Sequence, residues 1–392
     1  MAVEVGGVKA APVLIFAPGL GAGSANTAEA LAAVLAEEMT QADACRVFTA
    51  VSAAEVPAPP ALTVAPTVVD GENRPILQVF EYDYRNALDP STAPATPSVV
   101  GGMVKSVVLA VRGLVHLARA WRRPAKGLRT KVQLAAGMAA VGSLGFGVLI
   151  AGYALLATLG LDLPLWMWLG TEEQNATATF GVATTASALT WAGVRRRILA
   201  LAAVADRFIR YAHNDDSVAS TITQRLDSAV VQLRRNGWTG PVHLLGYCFG
   251  SLVVLDAVLP RATDLHGHAA MDSVQQIWTV GSPLDIVRLY APSFLAGRTA
   301  RKPDVSWCNI FNEADILASN LRDADDAGAG AGSFELNGVR AESIRYTGEA
   351  VGPARLLVTA RAHSAYWSTP DRANCLHPVA RAFLAAAARP AS

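Results

Sequence analysis

Val242-His243-Leu244-Leu245-Gly246-Tyr247-Cys248-Phe249-Gly250-Ser251-Leu252-Val253-Val254-Leu255 is the stretch that decides the fold. It reads as a short apolar strand, a sharp Gly-x-Cys-x-Gly turn, and an apolar helix. At the tip of such a strand-to-helix turn the backbone is strained. The residues two before and two after the tip must be small, because strand and helix pass close to each other there. Gly246 and Gly250 meet that need. The tip side chain then projects over the first turn of the helix, whose amides and dipole favour an anion, so a thiolate at Cys248 is stabilised. The plain alternative is a buried, inert cysteine in a glycine-rich turn.

The Gly-x-Cys-x-Gly turn between an apolar strand and an apolar helix resembles the nucleophile elbow of the α/β-hydrolases, with Cys where most members carry Ser. The likeness extends loosely to their lipase-like bacterial members. It implies an α/β fold, a mostly parallel sheet flanked by helices, and a base and an acid on later loops, acid first. Asp315 and His363 fit those places: Asp315 follows the strand Val305 to Phe311, and His363 follows the final strand, Ala354 to Ala360. Asp285, after the preceding strand, is an alternative acid. The Gly281-Ser282-Pro283 run and the His-x-x-Tyr-Trp run from His363 to Trp367 also resemble lipase-like relatives. The resemblance further implies an oxyanion hole built from two backbone amides. One is that of Phe249; the other is that of Leu20 (or Gly21), in the loop after Pro12 to Ala17. Relatives often carry His-Gly in that loop, whereas this chain has Pro18-Gly19.

Other candidates read as structural. His377 begins a helix and is expected as a cap or surface residue. His266 and His268 flank Gly267 without a third ligand, a poor metal site. Asp256 is expected at the surface, and Asp83 with Arg85 as an ion pair. No cofactor or metal is expected. Four widely spaced cysteines (Cys45, Cys248, Cys308, Cys375) contain no C-x-x-C pair, so neither a disulfide framework nor a zinc site is indicated. Net charge is +1, so no global field points to nucleic acid.

Composition adds a membrane part. Hydrophobic residues are 52% and charged residues 17%, with mean hydropathy +0.30, more apolar than an ordinary soluble enzyme. Residues 132–161 carry no charge, and about 20 residues suffice to cross a bilayer as a helix. Residues 176–194 are a second uncharged stretch, weakened by five Thr. Basic residues flank the outer ends of the pair (Arg122 to Lys131, and Arg195-Arg196-Arg197). Glu172 and Glu173 lie between them. By the positive-inside rule this is a transmembrane hairpin in the cell (inner) membrane, with a cytoplasmic catalytic domain. Ser143, Gly147 and Ala151 form a small-residue face that permits a homodimer through the hairpin. A soluble helical cap over the active site is the alternative.

The expected organisation is one catalytic domain in two parts, residues 1–98 and 199–392, interrupted by a helical insertion at 99–198. Helices are expected over Thr27 to Met39, Val218 to Asn236 and His377 to Ala387. Strands are expected over Arg46 to Ala50, Ile76 to Tyr84 and Ser273 to Val280, with a hairpin over Phe334 to Tyr346. Val56 to Pro66 reads as loop because of its prolines. The N-terminus shows no secretory signal pattern. The leading functional expectation is a membrane-anchored cysteine hydrolase acting on an acyl ester, thioester or lipid-like substrate. The others are an acyltransferase with the same triad and a non-catalytic membrane scaffold. Dienelactone hydrolases and polyhydroxyalkanoate synthases also carry Gly-x-Cys-x-Gly, but their other landmarks are not evident here.

Overall fold

A computed structural model of the chain describes residues 9–20, 27–52, 58–88, 115, 118, 211, 218–260, 269–285, 287, 291–295, 298, 305–312, 315, 317–321, 333–336, 339–346, 362–363, 366–367 and 375–388. The chain divides into two compact units. One is Met1–Pro90, Lys126–Gln133 and Tyr211–Ser392; the other is Ser91–Ala125 and Leu134–Arg210. The expected transmembrane hairpin (132–161 and 176–194), the loop histidines His266 and His268, and the expected strand Ala354 to Ala360 lie outside the described residues. Among the described residues no helix is long and apolar enough to cross a membrane.

The first unit is an α/β structure built on a mixed, mostly parallel sheet. Its described strands are β1 (Val13–Ala17), β2 (Phe48–Val51), β3 (Leu62–Asp70), β4 (Pro75–Tyr82), β5 (Val242–Tyr247), β6 (Val274–Val280), β7 (Ser306–Asn312), β8 (Ser333–Leu336) and β9 (Val339–Tyr346). They lie in the order β2-β3-β4-β1-β5-β6-β7-β9-β8. The run from β4 through β1, β5, β6 and β7 to β9 is parallel throughout. Antiparallel hairpins close both ends, β2 with β3 and β8 with β9. The central strands β1 and β5 are buried along their whole length. That is the continuous apolar character a strand needs when helices cover both faces of the sheet.

Helices α1 (Ala28–Ala42) and α5 (His377–Ala387) pack together over one face. Helices α3 (Val218–Arg235) and α4 (Phe249–Val258) cover the other; a short turn of helix, α2 (Arg85–Leu88), follows β4. Thr27 caps α1, its hydroxyl accepting from the Ala30 amide at 3.2 Å. In α3 the expected apolar face of Ile222, Leu226, Val230 and Leu233 is the buried one. On the α1/α5 face, Leu14, Phe16, Leu245, Trp278 and Phe383 join the α1 side chains in one core. Burying each large side chain of this kind contributes about 1.5–3 kcal/mol.

Two readings of the sequence are corrected. The expected loop Val56 to Pro66 runs into β3, a nine-residue strand with Pro66 inside it. The β3–β4 register shifts between Val64 and Thr67, so Pro66 stands at a bulge and no ladder hydrogen bond is asked of its missing N–H. Asp256 is not a surface residue: its side chain is 12% exposed and pairs with Arg298, which is 1% exposed. Tyr211 also donates to Asp256, at 2.9 Å. Asp256 is the single residue of α4 that is not fully buried, and the arginine compensates its charge.

Candidate active site

Cys248 stands between β5 and α4 with φ 52° and ψ −117°. A non-glycine side chain there is strained by about 1–3 kcal/mol, and surrounding packing must hold it. The restraints are visible. The Cys248 amide donates to the Val280 carbonyl at the end of β6, at 2.9 Å. The Ser251 hydroxyl, one turn into α4, reaches back to the Gly246 carbonyl at 2.8 Å. A Cβ on Gly246 would lie 2.5 Å from the Gly250 carbonyl oxygen, and one on Gly250 would lie 1.9 Å from that of Ala17. Both glycines are therefore required by the close approach of β5, α4 and the end of β1.

The loop after β1 comes to the same place. A Cβ on Gly19 would be 3.2 Å from that of Cys248, so Pro18-Gly19-Leu20 runs directly beside the elbow. Tyr84 fixes this loop by donating its hydroxyl to the Pro18 carbonyl. Phe249, the first residue of α4, is wedged between aromatic rings: Tyr84 stacks on it at 5.8 Å and Tyr211 meets it edge-on at 5.0 Å. The backbone segments carrying Leu20 and Phe249, the expected oxyanion donors, thus both border Cys248.

Asp315 and His363 are brought together from opposite ends of 48 residues, with His363 Nδ1 2.7 Å from Asp315 Oδ2. Asp315 is fully buried. It lies in the loop after β7, closed by its amide donating to the Asn312 carbonyl at 3.1 Å. Its Oδ1 accepts from the Leu317 amide at 2.9 Å. Its Oδ2 also accepts from the Tyr366 hydroxyl at 2.9 Å. The imidazole is clamped on its other side by Tyr247, the residue before the cysteine. The two rings stack at 5.5 Å, and the Tyr247 hydroxyl donates to the His363 carbonyl. With Nδ1 engaged by Asp315, Nε2 is buried and has no hydrogen-bond partner among the described residues.

Electrostatics link this imidazole to the cysteine. Burial acts to lower the His363 pKa, but the negative charge of Cys248 and the hydrogen bond to Asp315 outweigh it and hold the imidazole well above its ordinary value. A proton on His363 is therefore favoured beside negative charge from Asp315 and the cysteine side. The other three cysteines are placed differently. Burial pushes the Cys308 thiol up to about 12 and that of Cys375 well above its ordinary value, which keeps both protonated and inert. Cys45 is exposed.

The remaining candidates fall outside this cluster. Asp285 is held through its amide, which donates to the Ser319 hydroxyl at 2.6 Å, while Asp315 occupies the place beside the imidazole. His377 starts α5 and pairs with the buried Glu38 at 3.1 Å. Arg85 lies 3.6 Å from Asp83, the ion pair expected there. Tyr366 and Tyr247 are the site residues that sequence reasoning passed over. The His-x-x-Tyr-Trp run stands out in the sequence, but the oxygen its tyrosine reaches, Asp315 Oδ2, belongs to a loop 51 residues earlier in the chain. Comparison with known proteins adds nothing to this geometry: no family model, no curated protein and no solved structure matches the chain.

Proposed function

We propose that the chain is an α/β-hydrolase-type enzyme that cleaves an acyl ester, thioester or lipid-like acyl substrate through a covalent thioester on Cys248. The observation that carries this reading is the conjunction at one sheet edge: a nucleophile held at φ 52°, beside an imidazole whose Nδ1 is tied to a buried carboxylate. A buried Asp-His pair next to a strained cysteine serves no packing purpose that apolar residues would not serve better.

In the first half-reaction the Cys248 thiolate attacks the acyl carbonyl carbon. The oxyanion forms against the amides of Phe249 and Leu20, and protonated His363 gives its Nε2 proton to the departing oxygen or sulfur. In the second, neutral His363 takes a proton from water, the hydroxide attacks the thioester, and the thiolate leaves. Asp315 keeps Nδ1 protonated throughout, so that Nε2 is the atom that exchanges protons. The uncharged stretches 132–161 and 176–194 motivate the accompanying proposal that the enzyme is anchored to the inner membrane, where acyl substrates partition.

The test is steady-state hydrolysis of a chain-length series of activated acyl esters by the full chain in detergent, beside Cys248→Ala. Each assay is repeated with an added thiol or amine acceptor. Turnover to free acid that vanishes in the variant supports a hydrolase. Turnover only in the presence of the acceptor assigns the same triad to acyl transfer. Equal rates in wild type and Cys248→Ala overturn the reading.

A further inference from the structure

We infer that Tyr366 is a positioning residue of the reaction: its hydroxyl, wedged between the Asn312 amide and Asp315, fixes the Asp315 carboxylate and tempers its hold on His363. This rests on the reading of Cys248 as nucleophile. The direction of the hydroxyl proton follows from its two partners. The Asn312 N–H donates to the hydroxyl oxygen at 3.0 Å, so the hydroxyl's own proton is free to point only at Asp315 Oδ2, 2.9 Å away. That is the same carboxylate oxygen that receives His363 Nδ1. Two donors therefore share one oxygen, and each takes part of its charge.

The rest of the structure is arranged to keep the ring in place. Tyr366 is 1% exposed. Gly281, just after β6, adopts φ 58°, and a Cβ there would come within 2.9 Å of the Tyr366 Cε2. A larger residue would push the ring away from Asp315. The Cys375 thiol donates to the Tyr366 carbonyl at 3.0 Å and ties the residue to the start of α5. Tyr247 packs edge-on at 5.9 Å, and the His363 ring lies at 6.3 Å. Burial, first, and the nearby Asp315 charge keep the phenol well above its ordinary pKa, so it remains a neutral donor at every working pH. Of the described titratable groups, Asp315, His363, Tyr247 and Cys375 face it.

Removing the hydroxyl alone has two separable consequences. The carboxylate loses one of the bonds that orient it, so proton transfer at Nε2 slows. The share of the carboxylate charge that Tyr366 held then passes in larger part to His363, so the imidazolium holds its proton to higher pH.

The test is Tyr366→Phe in the full chain, with Gly281→Ala as a second variant that displaces the ring without deleting the hydroxyl. The readouts are kcat and KM on an activated ester, and the His363 side-chain titration by ¹H–¹⁵N NMR, assigned by difference from His363→Ala. The expected result for both variants is kcat lowered about ten- to a hundredfold with KM unchanged, and an His363 midpoint at higher pH. An unchanged kcat and an unchanged or lowered midpoint in a folded variant overturn the inference, whatever happens to melting temperature. If wild type shows no turnover, the nucleophile reading fails. The NMR midpoints then still decide whether Tyr366 loads the Asp315–His363 pair.

Discussion

His243 gives the sharpest prediction about the protein's stability. It is the second residue of β5, five positions before Cys248, and is 6% exposed. Its ring lies 5.0 Å from that of Phe383 and 5.6 Å from that of Trp278. Neither ring nitrogen has a hydrogen-bond partner among the described residues. Burial lowers its pKa from the ordinary 6.5 to about 4, so the folded chain holds this histidine neutral. Because the folded value lies below the unfolded one, unfolding takes up a proton between them. Stability is full above pH 6.5, falls as the pH drops toward 4, and then levels. The interval is about 2.5 pH units, and at about 1.36 kcal/mol per unit it amounts to about 3 kcal/mol. His243→Leu keeps the volume and removes the titration. The assay is denaturant unfolding of wild type and variant at several pH values, followed by tryptophan fluorescence, since Trp278 adjoins the site. Other groups titrate in both proteins, so the difference between the two curves isolates His243. Wild type should lose about 3 kcal/mol more than the variant between pH 7 and pH 4. Parallel curves over that range would refute the reasoning.

Three further outcomes follow from the elbow and the pair behind it. Cys248→Gly relieves the φ 52° backbone and should stabilise the fold by about 1 kcal/mol while abolishing acyl turnover, read by melting temperature and ester assay. Gly250→Ala sets a Cβ 1.9 Å from the Ala17 carbonyl oxygen and should cost about 3 kcal/mol or more, seen as loss of folded protein or a much earlier denaturation midpoint. Asp315→Asn preserves the size of the side chain but presents an amide to His363, so kcat should fall by about 10³–10⁴ with the fold retained by circular dichroism.

Much of this site is legible in the sequence because the constraints that build it are local. At 246 a strand and a helix packed at van der Waals distance leave only glycine, whereas glycine at 250 answers to the Ala17 carbonyl at the end of β1. Asp315 is legible through topology, since a parallel sheet delivers the loop after β7 to the edge that carries the elbow; the strand expected before His363 lies outside the described residues. What was not legible depends on contacts across long stretches of chain. Arg298 meets Asp256 from 42 residues away, so an aspartate in an apolar helix looked like a surface residue. Pro66 looked like a strand breaker because a bulge, which absorbs its missing donor, is a property of two paired strands rather than one. His243 passed as one polar residue in an apolar run; its isolation emerges only when Trp278 and Phe383 close over it.

The central claim is that Cys248 carries the acyl group with His363 as its proton-transfer partner. Intact-protein mass spectrometry of the full chain mixed with an activated acyl ester tests it most directly, with Cys248→Ala and His363→Ala alongside. The account predicts one acyl adduct per chain in wild type, none in Cys248→Ala, and a much smaller fraction in His363→Ala. An adduct that persists in Cys248→Ala, or none in folded wild type at any acyl chain length, would contradict it.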